Sequence, residues 1–304
     1  MKSAEKAISD NSCNLWIGLV LPNTPAYSET FFRSKIRGLH EAGHGVILFV
    51  GGSSSGKTFE GCRVVVAPRV YGNRFVQLLA MLFLLSRLCV TCPRRVRRFL
   101  NLELQTRRSW REAIENLYLN SHILPRKLDW LHFGFATMAI RRENVASTIG
   151  ARMAVSLRGY DICLYPLKHP GCYDLIWKRV DKVHTISDDL LAVARKEGLP
   201  ERVPIQKITP AIDTQKFSVD GLRRSLRNPV RLLTVARLHW KKGLEYTLEA
   251  LAILHQKGLD FRYTIIGEGR EYERLCFAAH QLGISDRVHF VGKLPHEAVK
   301  KNME

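Results

Sequence analysis

Short apolar runs alternate with stretches of helical periodicity along most of the chain, the pattern of α/β layering. Leu15–Leu21 reads as a strand, broken by Pro22 to Tyr27. Ser28 is placed as an N-cap with Glu29 in the first turn. Phe32, Ile36 and Leu39 then recur at i, i+4 and i+7, and Gly43 stands where a left-handed C′ residue belongs. Val46–Val50 returns as a strand, closing a β-loop-α-β unit of Rossmann type. Further strands are predicted at Arg63–Ala67, Leu128–Phe133, Arg152–Leu157, Lys182–Ile186 and Val203–Ile208, with a helix over Asp188–Lys196. After a linker-like stretch a second series begins. Val230–Ala236 is a strand, Leu244, Leu248 and Leu251 mark a helix, and Phe261–Ile266 is a strand. Tyr272, Leu275, Ala279 and Leu282 mark another helix, closed by Gly283, and Arg287–Val291 is a third strand. The pattern gives a first Rossmann-like domain over residues 1–212, a linker over 213–229 and a partial second one over 230–304.

Charge narrows the partners. The 304 residues hold 47 Lys+Arg against 28 Asp+Glu, a formal net charge of +19. A chain so basic meets something anionic: nucleic acid, an acidic membrane surface or a phosphorylated substrate. Seven cysteines are too sparse for a disulfide scaffold in a chain this long. Met1 to Asn14 is polar and carries no apolar leader segment, so a cytoplasmic location with reduced thiols is expected. No nucleic-acid-binding module accompanies the charge, which leaves nucleic acid the weakest of the three partners.

The longest apolar stretch is Phe75 to Val90, which runs into Pro93-Arg94-Arg95-Val96-Arg97-Arg98. Two readings stay open. One is a helix lying on an anionic membrane, placing the protein at the periphery of the inner face. The other is a buried helix followed by an ordinary solvated one.

Gly51 to Thr58 matches the phosphate-loop expression G-x-x-x-x-G-K-[ST] and follows a strand. A phosphate loop requires a helix to start at its lysine. Phe59-Glu60-Gly61-Cys62 and another β run follow instead, so a hairpin is predicted and a nucleotidase using Lys57 is the rival. Cys89-Val90-Thr91-Cys92 lacks the second pair that zinc demands. No D-x-D occurs, so nothing supports a carboxylate-held metal, and no cofactor is implied.

The densest chemistry is Ala236-Arg237-Leu238-His239-Trp240-Lys241-Lys242-Gly243, which leaves a strand and enters a helix. Arg237 and Lys242 beside helix-start amides can neutralise a diphosphate. On the next strand, Gly267-Glu268-Gly269 forms a turn whose glycines admit close backbone approach. Both loops leave carboxyl ends of neighbouring strands, where α/β folds bind ligands.

These motifs, in this order, resemble glycosyltransferase family 4 (group 1), retaining enzymes of GT-B fold. Arg237 to Gly243 is similar to the colanic-acid and amylovoran branch, which builds bacterial exopolysaccharides. The first domain agrees. Ser28-Glu29-Thr30-Phe31 with Gly43-His44, then Leu131-His132-Phe133-Gly134 and Ser156-Leu157-Arg158-Gly159-Tyr160-Asp161, resemble the family's S-E-T-F…G-H, H-F-G and S-x-R-G-x-D segments. Thr185-Ile186-Ser187 and Pro210-Ala211-Ile212-Asp213 resemble the approach to the linker. The resemblance implies two Rossmann-like domains facing across a cleft and a sugar moved, with retention, from a nucleoside-diphosphate sugar to a glycan acceptor, lipid-linked in such pathways. It implies that Arg237 and Lys242 hold the diphosphate and stabilise the leaving nucleotide. Gly267, Glu268 and Gly269 line the nucleotide pocket. His132 faces donor sugar and acceptor, or, on the residues alone, caps a sheet end. Glu29, Arg158 and Asp161 lie on the acceptor side, Glu29 serving alternatively as a helix-start acid. The family's E-x7-E region has no counterpart before Glu304, so the second domain is expected to be incomplete, its sheet edge exposed and its solubility and activity reduced.

Overall fold

The computed structural model describes residues 14–25, 30–52, 56–210 and 228–303. The chain divides into two compact units, Met1–Ala211 and Ile212–Glu304. The predicted N-cap Ser28, Glu29 and most of the linker lie outside the described residues.

Unit 1 begins with β1 (Trp16–Leu21), α1 (Thr30–Glu41) and β2 (Gly45–Val50), followed by β3 (Thr58–Phe59) and β4 (Cys62–Val66). Three helices follow, α2 (Arg74–Thr91), α3 (Pro93–Gln105) and α4 (Trp110–Asn120). The remaining elements are β5 (Trp130–Phe133), α5 (Val145–Ile149), β6 (Arg152–Leu157), α6 (Tyr165–Lys168), α7 (Asp174–Arg179), β7 (Lys182–Thr185), α8 (Asp188–Lys196) and β8 (Ile205–Lys207). The strands form one sheet in the order β3-β4-β2-β1-β5-β6-β7-β8. All pairs are parallel except β3 with β4. This is the doubly wound order, and its chain reversal falls between β1 and β5.

Alternation along the strands separates two cores. Leu131, Phe133, Met153, Val155 and Val183 face a large cluster with Val96, Phe99, Leu117 and Trp177. Leu19, Leu21, Val46, Leu48 and Val50 face the opposite side, where Phe32 and Ile36 of α1 cover them. The i, i+4 spacing of Phe32 and Ile36 thus does what the periodicity predicts. Gly43, at φ +79°, ends α1 in the left-handed region.

No helix begins at Lys57. The chain turns instead at Glu60 (φ +47°) and Gly61 (φ +77°), a two-residue hairpin between β3 and β4. The phosphate-loop match is therefore a match of letters, without the helix that gives it function.

Unit 2 contains β9 (Val230–Val235), α9 (Leu244–Gln256), β10 (Phe261–Ile266), α10 (Tyr272–Gln281), β11 (Val288–Gly292) and α11 (His296–Met303). Its described strands form a parallel sheet in the order β11-β10-β9. Leu244, Leu248, Leu251, Phe261, Tyr263, Ile265, Leu275 and Ala279 make its core. These are the positions the helical and alternating patterns single out.

Candidate functional site

In unit 1 the chemistry lies on the sheet face opposite the large core. On β5, Leu131 and Phe133 point into that core, so His132 must point the other way. The same alternation turns Ser156 of β6 and His184 of β7 to the His132 face. Lys35, one turn before Leu39 on α1, reaches down to them. Lys35 Nζ lies 3.0 Å from His132 Nδ1 and 3.3 Å from Nε2. Ser156 Oγ lies 2.8 Å from His132 Nε2 and 2.9 Å from His184 Nδ1. His184 Nε2 lies 3.2 Å from the Ile208 carbonyl oxygen.

That carbonyl can only accept, and it sets the direction of the whole chain. His184 donates from Nε2, so its Nδ1 accepts from the Ser156 hydroxyl. Ser156 oxygen in turn accepts from His132 Nε2–H, and His132 Nδ1 accepts from Lys35. Both histidines are neutral in this arrangement. The surroundings agree. Burial, then Lys35, holds His132 well below the usual imidazole range, and burial with Lys35 lowers His184 to about 4. Burial and the neighbouring Arg158 lower Lys35 to about 7. Lys35, His132, Arg158 and His184 line a cavity of about 650 Å³ that also meets Phe31, Leu39, Lys182 and Ile208.

These shifts have a signed consequence for stability. Between pH 7 and 10.5 the unfolded chain keeps the Lys35 proton that the folded chain releases, so stability rises with pH across that window. Below the ordinary imidazole value of 6.5 the unfolded chain protonates the His132 and His184 positions first, so stability falls as pH drops toward 4. Urea midpoints between pH 7 and 10 should climb more steeply for the wild type than for Lys35→Met; parallel curves would contradict the shift.

Arg158 follows β6, and its guanidinium lies 4.0 Å from the Phe31 ring centroid and 4.8 Å from that of Phe32. Asp161 is buried. Its buried carboxylate accepts from the Ala136 N–H at 3.0 Å and the Arg158 N–H at 2.9 Å. It clamps the turns after β5 and β6 together and so positions Arg158. Burial raises its pKa, and those backbone bonds work against the rise. His132 lies within the sheet face, so it is no cap of a sheet end.

In unit 2, the loop after β9 is pinned by Leu238, which is buried in the core. Its neighbours Arg237 and His239 are exposed, as is Lys242. The chain passes through the short turn Trp240–Lys242 and enters α9 at Gly243, whose φ is +65°. Gly243 offers no capping side chain, so no side chain covers the amides at this helix start. The glycines of the next loop serve the first loop directly. Leu238 N–H donates to the Glu268 carbonyl at 2.9 Å and Ala236 N–H to that of Ile266 at 3.0 Å. A Cβ at Gly267 would lie 1.8 Å from the Ala236 oxygen, and one at Gly269 would lie 2.0 Å from the Leu238 oxygen. The close approach read as backbone to ligand is thus backbone to backbone, and it fixes where Arg237 stands. Glu268 is exposed beside it. Among the described residues no three His, Cys, Asp or Glu side chains gather into a metal-binding group.

Sequence reasoning missed Lys35 and His184 because each stands alone in its own element. Only the alternation of His184 with Val183 carried a signal.

Known proteins share this architecture. The galactosyltransferase WaaB of the lipopolysaccharide outer core matches at a TM-score of 0.59 and 14% identity, over 94% of this chain and 70% of that one. Anabaena HepE, solved with UDP and glucose, matches at 0.60 and 14%, over 92% and 70%. The fold is that of the GT-B glycosyltransferases. Residues 223–304 match the family Glycosyl transferases group 1. The amylovoran biosynthesis glycosyltransferase AmsK of Erwinia amylovora is 30% identical over 57% of this chain and 43% of its own length. A putative colanic acid glycosyltransferase, WcaL of Escherichia coli, is 28% identical over the same shares. Residues 223–304 are thus similar to group 1 glycosyltransferases, and the chain's matches span a little under half the length of these curated relatives.

Proposed function

We propose that the protein transfers a sugar from a nucleoside-diphosphate sugar to a glycan acceptor in exopolysaccharide synthesis, with retention of configuration. The observation that carries this reading is the loop pair of unit 2. Arg237 and Lys242 stand exposed on one strand-to-helix loop whose path two glycines of the next loop dictate, within the segment that matches the group 1 family. Two cations on a loop whose backbone is held, beside a helix start with no side-chain cap, suit a diphosphate, and they stabilise the charge that develops on the leaving nucleotide. Unit 1 supplies the acceptor side. Lys35, Arg158 and Lys182 line its cavity and, among the described residues, no carboxylate does, which favours an acceptor carrying phosphate, as a lipid-linked glycan does. His132, neutral and oriented by Lys35 and Ser156, is one of the polar groups that line that cavity.

Titration calorimetry against a panel of nucleoside-diphosphate sugars tests the donor half. One donor should bind, and Arg237→Ala should weaken it about 100-fold. Equal binding by wild type and Arg237→Ala, or binding of none of the panel, would overturn the reading. His132→Ala should leave donor affinity unchanged while transfer to acceptor falls, and NMR of the product anomer reports retention.

A further inference from the structure

The helix α2 has 18 residues, about 27 Å at 1.5 Å per residue, and Leu88 is its one buried residue. It is long and apolar enough to cross a membrane. Of the two readings the sequence leaves open, the buried core helix is therefore excluded. Leu85 and Leu88 pack on the core. The opposite side presents Phe75, Leu78, Leu79, Leu82 and Phe83, at three- and four-residue spacing, as one exposed apolar stripe. Phe83 is 72% exposed and Leu82 59%.

The next helix carries the charge. On α3, Val96, Phe99 and Glu103 are buried, while Arg94, Arg97 and Arg98 are exposed along the other side. Seven arginines and no Asp or Glu occur between Arg69 and Leu102.

Both ends of α2 are tied to the same unit. Before it, the Arg69 carbonyl accepts from Tyr118 Oη at 2.6 Å. After it, Arg95 Nη1 donates to the carbonyls of Leu124 and Arg126, each at 2.7 Å. Val65 of β4 and Val96 of α3 pack in one core. A helix crossing a bilayer would need its ends on opposite sides, and these ends belong to one folded sheet.

We infer that α2 and α3 form an anionic-membrane docking surface: α2 lies in the plane of the interface with its apolar stripe among the acyl chains, and the arginines of α3 meet acidic headgroups. A second copy of this chain does not suit the face. An isologous pairing would set the exposed arginines of α3 against themselves, and neither α2 nor α3 carries an exposed carboxylate to answer them. The inference does not depend on the reaction proposed above.

Flotation of the whole chain with phosphatidylcholine vesicles, with and without a third of phosphatidylglycerol, tests it. The chain should float with the anionic vesicles only. Arg97→Gln and Arg98→Gln should each weaken binding about 5-fold at low salt, a difference that high salt removes. Phe83→Glu should weaken it more than about 10-fold with the melting temperature unchanged. Wild-type binding to neither vesicle, or binding unaffected by all three substitutions, overturns the proposal. So does a dimer in gel filtration that Phe83→Glu dissolves, or resistance to alkaline extraction, which would mean a spanning helix.

Discussion

Arg108→Ala should lower the free energy of unfolding by about 3–5 kcal/mol at neutral pH. Among the described residues Arg108 is the one cation that touches both Glu103 and Glu143, whose side chains are 0% and 3% exposed. Its two terminal nitrogens lie within 3.0 Å of all four carboxylate oxygens. The amides complete the site. Asn116 donates to Glu103 at 2.6 Å and Asn144 donates to it at 2.8 Å, while Arg141 N–H donates to Glu143 at 3.0 Å. These contacts tie α3 and α4 to the start of α5. Removing the guanidinium leaves two buried carboxylates without that cation. Urea unfolding of both chains at neutral pH measures the loss. A loss under about 1 kcal/mol would show that the network contributes little.

Gly267→Ala should destabilise unit 2 by about 3 kcal/mol or more and remove donor binding with it. The substitution meets two penalties at once. At φ +147° the backbone disfavours any Cβ, and the new methyl carbon would sit 1.8 Å from a backbone oxygen that the sheet holds in place. Relief requires breaking the bonds from Ala236 to Ile266 and from Leu238 to Glu268, which also set the position of Arg237. Hydrogen exchange of the β9 and β10 amides, with calorimetry of the donor, reads both effects. By contrast, Gly38→Ala in α1, where nothing lies within 4 Å of a new Cβ, should raise stability by about 0.5–1 kcal/mol. Native donor affinity in Gly267→Ala would mean that this loop does not carry the donor site.

What the sequence by itself determined is the layout of strands and helices. Period-2 runs such as Arg152–Leu157 and the 3.6-residue repeat of Leu244, Leu248 and Leu251 are local signals, and each element buries the face they mark. Gly43 and Gly283 mark helix ends because only a residue free of Cβ strain takes their positive φ cheaply. The loop from Ala236 to Gly243 was legible for the same reason, since its cations and its strand-to-helix context lie within eight consecutive positions.

Tertiary structure alone decided the rest. Lys35, His132, Ser156 and His184 sit on four elements, and only the order α1 over β5, β6 and β7, with one pleat in register, brings them within hydrogen-bond reach. The resemblance sets Asp161 on the acceptor side, and the turn it closes draws its carboxylate inward to two backbone amides. Glu103 looks like one more helix-surface charge until α4 and the α5 start close around it. The same holds for α2: hydropathy states that its side chains avoid water, and only packing shows that the protein itself covers little of it. Local periodicity reports what a residue would rather leave; which surface receives it is a property of the assembled sheet and helices.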